Sequence, residues 1–203
     1  MTALPASIDL LLVEAEAEKR DAAELLHIRS AQAGDMKAFE WIVQQHEARL
    51  FGFCCRWLRC EEDAREVCQD AFVRAWQALP EYEHRSKLST WLYQITLNLC
   101  RDRAKSRASR QQESTRSLQD EVPSPICPQP SPDASAQWRS DMQKLERGLA
   151  TLPKKLSEVL LLTAMEGLSH EECAEVLGCS LRGVEGRVYR ARRLLLRWWD
   201  QGL

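Results

Sequence analysis

No stretch of about 20 uncharged apolar residues occurs anywhere in the sequence, so no segment reads as a bilayer span. Glu14, Glu16 and Glu18 fall where a secretory signal would need its apolar core, which predicts a cytoplasmic protein with no membrane insertion. Glycine is scarce, with 8 in 203 residues, and β-branched runs of strand length are few, whereas Leu and Ala abound. That balance excludes an extensive sheet and predicts an all-α chain. The 4 histidines are scattered, and neither a nucleophile motif nor a phosphate-binding glycine loop appears, so no enzyme and no cofactor are expected.

Cysteine is plentiful, but no pair among the 8 has Cys-x-x-Cys spacing. Zinc and dithiol redox motifs are therefore not indicated; most of the cysteines sit among apolar helical positions and read as buried, reduced thiols. Cys54, Cys55 and Cys60 form the one cluster worth testing for a sensing role. Strong positive charge is also missing: the formal net charge is -2. Since duplex binding draws largely on neutralised phosphates, any DNA contact has to be local.

What is present falls into four segments. Residues 1–23 form an acidic leader in which Leu10, Leu11, Leu12 and Val13 could make one amphipathic turn, with fraying the expectation. Residues 24–106 repeat apolar side chains at helical spacing. The clearest stripe is Ala64, Val67, Cys68, Ala71, Phe72, Ala75, Trp76 and Leu79, which leaves Glu62, Arg65, Glu66, Gln69 and Asp70 on the other side. Phe39, Ile42, Val43, Leu50, Phe51 and Trp57 fit a preceding helix, and Leu88, Trp91, Leu92, Ile95 and Leu99 a following one. Residues 107–137, with Pro123, Pro125, Pro128, Pro130 and Pro132, read as a flexible Pro/Ser-rich linker. Residues 138–203 form a second helical domain.

Within that second domain, Pro153 opens a helix and Gly167 closes it. Ser169-His170-Glu171-Glu172 is a Ser-x-x-Glu capping box, flanked by Leu168 and Cys173 as a hydrophobic staple, so a helix begins at Ser169. Gly178 supplies a left-handed stop, and Ser180 caps a further helix whose core stripe is Val184, Val188, Ala191 and Leu195. A short helix, a tight glycine turn and a longer helix make a helix-turn-helix. The last helix carries Arg182, Arg187, Arg190, Arg192, Arg193 and Arg197 against Glu185, a charge pattern suited to the major groove and its phosphates.

Leu168 through Gly178, followed by Val184-Glu185-Gly186-Arg187-Val188-Tyr189-Arg190-Ala191-Arg192, resembles the promoter-reading domain of extracytoplasmic-function sigma factors, a group of the sigma-70 family. Asp63-Ala64-Arg65-Glu66-Val67-Cys68-Gln69-Asp70-Ala71-Phe72, with Ser89-Thr90-Trp91-Leu92-Tyr93-Gln94-Ile95 and Asn98, is similar to the family's other conserved domain. The two matches stand in the family's order on either side of a linker.

The resemblance implies an alternative sigma factor that binds core RNA polymerase, recognises the -10 and -35 promoter elements and initiates transcription of a specific regulon. Asp63, Glu66, Gln69 and Asp70 then correspond to the surface that grips the clamp helices of the polymerase beta-prime subunit. Tyr82, His84, Arg85, Lys87, Ser89, Trp91 and Asn98 correspond to the segment that captures the unpaired -10 strand, with Trp91 also placed for a core role. Arg182, Glu185, Gly186, Arg187, Tyr189, Arg190 and Arg193 correspond to the -35 reader. An anti-sigma factor is an implied partner. The sequence departs from the family at Glu185 and Gly186, where a basic residue and a serine are common. The competing reading is a helix-turn-helix regulator of response-regulator or quorum-sensing type, which would need an α/β domain upstream that this sequence does not suggest.

Overall fold

The computed structural model describes residues 6–114 and 136–200, and every regular element among them is helical. The first domain is built from α1 (Ala6–Gln32), α2 (Met36–Leu58), α3 (Glu61–Ala78) and α4 (Leu88–Ser114). Gly34, at φ 95°, makes the sharp exit from α1. Asp35 then caps α2, its carboxylate accepting from the Lys37 and Ala38 amides at 2.9 and 3.4 Å. Helix α2 ends on Arg59 in the left-handed region, whose N–H closes back on the Cys55 carbonyl at 2.9 Å.

The core between α2, α3 and α4 is made by the expected stripes. Phe53, Ile42, Leu50, Ala64, Ala71, Ala75, Leu92 and Leu97 are all buried, and Phe53 meets the ring of Tyr93 edge-on at 5.4 Å. Five cysteines, Cys54, Cys55, Cys68, Cys100 and Cys173, are buried as free thiols. Cys60 and Cys179 are half-buried, and Cys127 lies outside the described residues. Burial pushes the Cys55 thiol up to about 11 and Cys68 and Cys173 up to about 12, so they stay protonated and act as small apolar side chains. Cys54 and Cys100 face each other at 4.0 Å, and that contact, with burial, drives Cys54 higher still.

Two expectations about the ends of this domain are corrected. The leader is helical from Ala6 onward, continuous with α1, instead of frayed. Helix α4 runs to Ser114, so residues 107–114 of the expected linker are helical, as are 136 and 137 at its far end. The basic run beyond Leu99 is rich in Arg, Ala, Lys and Gln, whose propensity extends a helix already nucleated by packing.

The second domain comprises α5 (Ala136–Thr151), α6 (Lys154–Leu160), α7 (His170–Leu177) and α8 (Leu181–Asp200). A π turn at Leu161–Met165 extends α6. Gly167, at φ 74°, ends it, with the Leu168 amide reaching back to the Leu162 carbonyl at 3.0 Å. The capping box of α7 is formed in both directions: the Glu172 amide donates to Ser169 Oγ at 3.1 Å, and the Ser169 amide to the Glu172 carboxylate at 2.8 Å. Gly178 takes the left-handed stop at φ 60°, and Ser180 Oγ accepts from the Gly183 amide at 3.2 Å. Gly148 lets α5 lie close against the far end of α8, since a Cβ there would stand 2.6 Å from Leu195 and 2.7 Å from Trp198.

Candidate functional site

Three surfaces carry the candidate residues. On α8, the stripe Val184, Val188 and Ala191 is buried, which turns Arg182, Glu185, Tyr189, Arg190 and Arg193 outward, with Arg187 and Gly186 half-exposed beside them. All seven -35 candidates thus lie on one accessible side of the helix. Arg190 Nε donates to the Gly186 carbonyl at 3.0 Å, and the Arg193 guanidinium lies 5.7 Å from the centre of the Tyr189 ring. Glu185 makes no ion pair with Arg182 or Arg192, so its carboxylate is left to meet whatever approaches the helix. A Cβ at Gly186 would find nothing within 4 Å, so close packing does not demand glycine there.

The -10 candidates occupy the loop between a 3-10 turn (Leu79–Glu81) and α4. Gln32, at the end of α1, holds that turn by donating to the carbonyls of Leu79 and Tyr82 at 3.1 and 2.8 Å. His84 (φ 56°), Arg85 and Lys87 are exposed on the loop; Ser89 and Trp91 are half-buried at the start of α4, and Asn98 is exposed further along it. Arg85 pairs with Glu83.

Tyr82, which the resemblance places in the -10 segment, differs from the rest of that segment. It is buried, its hydroxyl donates to the Ser86 carbonyl at 2.5 Å, and its ring packs 5.0 Å from Trp91 and 4.7 Å from His84. Burial pushes its hydroxyl up to about 12. Tyr82 is the floor on which the loop is built, and Trp91 and His84 are the rings that reach its surface.

On α3, Glu66, Gln69 and Asp70 are exposed, but Asp63 is not an open charge. Its carboxylate meets Arg103 at 2.8 Å and Arg107 at 3.4 Å, and Arg103 also pairs with Glu66. The basic end of α4 therefore neutralises part of the acidic face, leaving Gln69 and Asp70 as its unpaired portion.

Contacts between the two domains escaped the sequence reading. Glu158 receives two hydrogen bonds from Arg101, at 2.7 and 3.2 Å, and Glu166 receives one from the Tyr93 hydroxyl at 2.6 Å while pairing with Arg56. Lys87 of the loop lies 3.0 Å from Glu172 of the α7 capping box. These partners are 57 to 110 residues apart in sequence; the one local signal is that Glu158 stands among Leu156, Val159 and Leu160, where a carboxylate is out of place.

A helical domain with a partly neutralised acidic face and a cationic aromatic loop, joined to a helix-turn-helix with an arginine-lined second helix, defines a DNA-binding protein of transcription. Residues 42–110 match Sigma-70 region 2 and residues 142–195 match Sigma-70, region 4. The chain belongs to the sigma-70 family, as an alternative sigma factor of the extracytoplasmic-function group. It is 34% identical over 180 residues to the RNA polymerase sigma factor NccH of Alcaligenes xylosoxydans xylosoxydans, covering 85% of this chain and 91% of that protein. It is 29% identical over 173 residues to the RNA polymerase sigma-H factor of Pseudomonas aeruginosa, covering 83% and 89%. Among solved structures, CnrH in complex with the cytosolic domain of CnrY superposes with a TM-score of 0.65 at 29% identity, over 88% of this chain and 98% of that one; CnrH is a sigma factor of Cupriavidus metallidurans.

Proposed function

We propose that the first domain grips the beta-prime clamp helices through Gln69, Asp70 and Glu66 and captures the -10 strand with His84, Arg85, Lys87, Ser89, Trp91 and Asn98, while α8 reads the -35 element. The observation that carries this is the division of exposure along α8: its apolar stripe is buried and all seven candidate residues face out. In the loop, Tyr82 acts from beneath, by holding Trp91 and His84 at the surface where an unpaired base can stack. The chain acts in the cytoplasm, where polymerase and chromosome are, and contributes binding and melting while the catalysis belongs to polymerase. The seating of CnrY on a similar sigma factor supports an anti-sigma partner for this chain as well.

The unpaired Glu185 carboxylate favours a cytosine amino group over the guanine acceptors an arginine selects, so the preferred -35 sequence departs from the one common in the family. Run-off transcription with core polymerase on a library randomised at the -35 element tests this directly. Wild type and the Glu185→Arg, Gly186→Ser variant are expected to select different sequences; identical selections would remove both positions from base reading. No transcription with any core polymerase tried would defeat the whole assignment.

A further inference from the structure

We propose that the hollow where α2 ends beside α4 is a binding site for a nucleoside diphosphate or triphosphate, with Arg59 as its anchoring cation. The hollow measures about 380 Å³, within the about 300 to 1,000 Å³ usual for a small-molecule site. Four arginines line it: Arg56 and Arg59 at the end of α2, and Arg103 and Arg107 on α4. All four belong to the first domain, and Lys154 of α6 adds a fifth cation.

A charged group that loses water ordinarily gains a partner in exchange. Here five cations share three carboxylates: Arg56 pairs with Glu166, Arg103 with Asp63 and Glu66, and Arg107 with Asp63. Among the described residues no carboxylate pairs with Arg59 or Lys154. Arg59 is half-buried, and burial lowers its guanidinium below the ordinary value with no carboxylate to offset it. Lys154 lies 4.7 Å from the centre of the Trp57 ring, a contact that leaves its charge uncompensated. The Nε of Arg56 is buried without a hydrogen-bond partner.

The backbone at Arg59 sharpens the point. It stands at φ 55° in the left-handed stop of α2, a position glycine fills with less strain. Gly167 and Gly178 take left-handed positions at other helix ends of this chain. The end of α2 therefore does not need an arginine, and the side chain answers to something beyond the helix. A guanidinium fork meets phosphate oxygens two at a time. Two uncompensated cations suit more than one phosphate group. The rest of the wall, including Trp57, Leu58 and Leu152, is apolar, and a base and sugar would cover it where a bare ion would not.

The test is titration calorimetry on the full chain with ADP, GDP, ATP, inorganic pyrophosphate, sulfate and adenosine. The nucleotides are expected to bind at one site, pyrophosphate at least about tenfold more weakly, and adenosine not at all. Arg59→Gly removes the guanidinium but keeps the left-handed stop. It is expected to weaken ADP binding at least about tenfold, and to abolish the rise in melting temperature that ADP gives the wild type. Without ligand its melting temperature is expected to equal or exceed that of the wild type, since no ion pair is broken; a lower one would give Arg59 a structural role and overturn the assignment. Should the circular dichroism spectrum of Arg59→Gly change, Arg59→Asn, which also tolerates the left-handed region, takes its place. Undiminished ADP binding in the variant would put the ligand elsewhere and overturn the site. Sulfate binding as tightly as ADP would mean an adventitious ion only, and no nucleotide binding to the wild type would overturn the proposal outright.

Discussion

The two domains keep structure and function apart to different degrees. In the second, Val184, Val188 and Ala191 hold α8 to the core while Arg182, Glu185 and Arg190 touch nothing that shapes the fold. In the first, the same side chains do both jobs: Asp63 belongs to the acidic face and anchors α4 through Arg103 and Arg107, and Tyr82 belongs to the -10 loop and is part of its floor. On the proposed assignment, recognition on α8 can therefore change at little structural cost, whereas the surfaces proposed for polymerase and strand capture are constrained by the packing beneath them.

Phe53→Ala probes the larger core. Phe53 is fully buried against Tyr93, and its truncation is expected to cost about 3–5 kcal/mol in chemical denaturation, with the first domain lost before the second. A loss shared equally would mean that the two domains unfold as one unit.

Asp63→Lys against Asp70→Lys tests the double role on α3. Both are expected to weaken binding to core polymerase through charge reversal. Only Asp63→Lys is expected to lower the melting temperature as well, by the equivalent of about 1 kcal/mol, because it removes the carboxylate that Arg103 and Arg107 share. Equal melting temperatures would place Asp63 with the free surface and erase the contrast.

Ser169→Ala is expected to destabilise the second domain by about 1 kcal/mol through the lost cap of α7. The partner of that cap responds to pH. Burial raises the Glu172 carboxyl, but the Ser169 amide and Lys87 outweigh it and hold the group below its ordinary value. Its contribution is therefore full above the unfolded-state pKa and lost as pH falls through the lower folded-state value. Melting curves of wild type and Glu172→Gln are expected to differ near neutrality and to converge under acid; a constant difference would show that the charge plays no part.

Much of the second domain was legible because its signals are local. A capping box and a glycine stop each fit within one or two turns and a four-residue stripe within little more than three, and α7 and α8 formed where Ser169, Gly178 and Ser180 placed them. The helical stripes of the first domain were legible for the same reason. The helicity of the leader and of residues 107–114 was not, since neither segment carries an apolar stripe and both extend helices fixed by packing elsewhere. The burial of Tyr82 and the pairings of Glu158 and Glu166 depend on distant residues, which no periodicity reports.

The contact at Gly148 bears on the geometry of DNA reading. Helix α8 is a rod of 20 residues, about 30 Å long, with base-edge side chains near one end and Leu195 and Trp198 resting on Gly148 near the other. Val184, Val188 and Ala191 seat the first half of the rod in the core and the Gly148 contact seats its far end, so a methyl group at residue 148 would push Leu195 and Trp198 away from α5. The surface proposed to read the -35 element is thus carried on a helix seated at both ends, one of them on a glycine of α5.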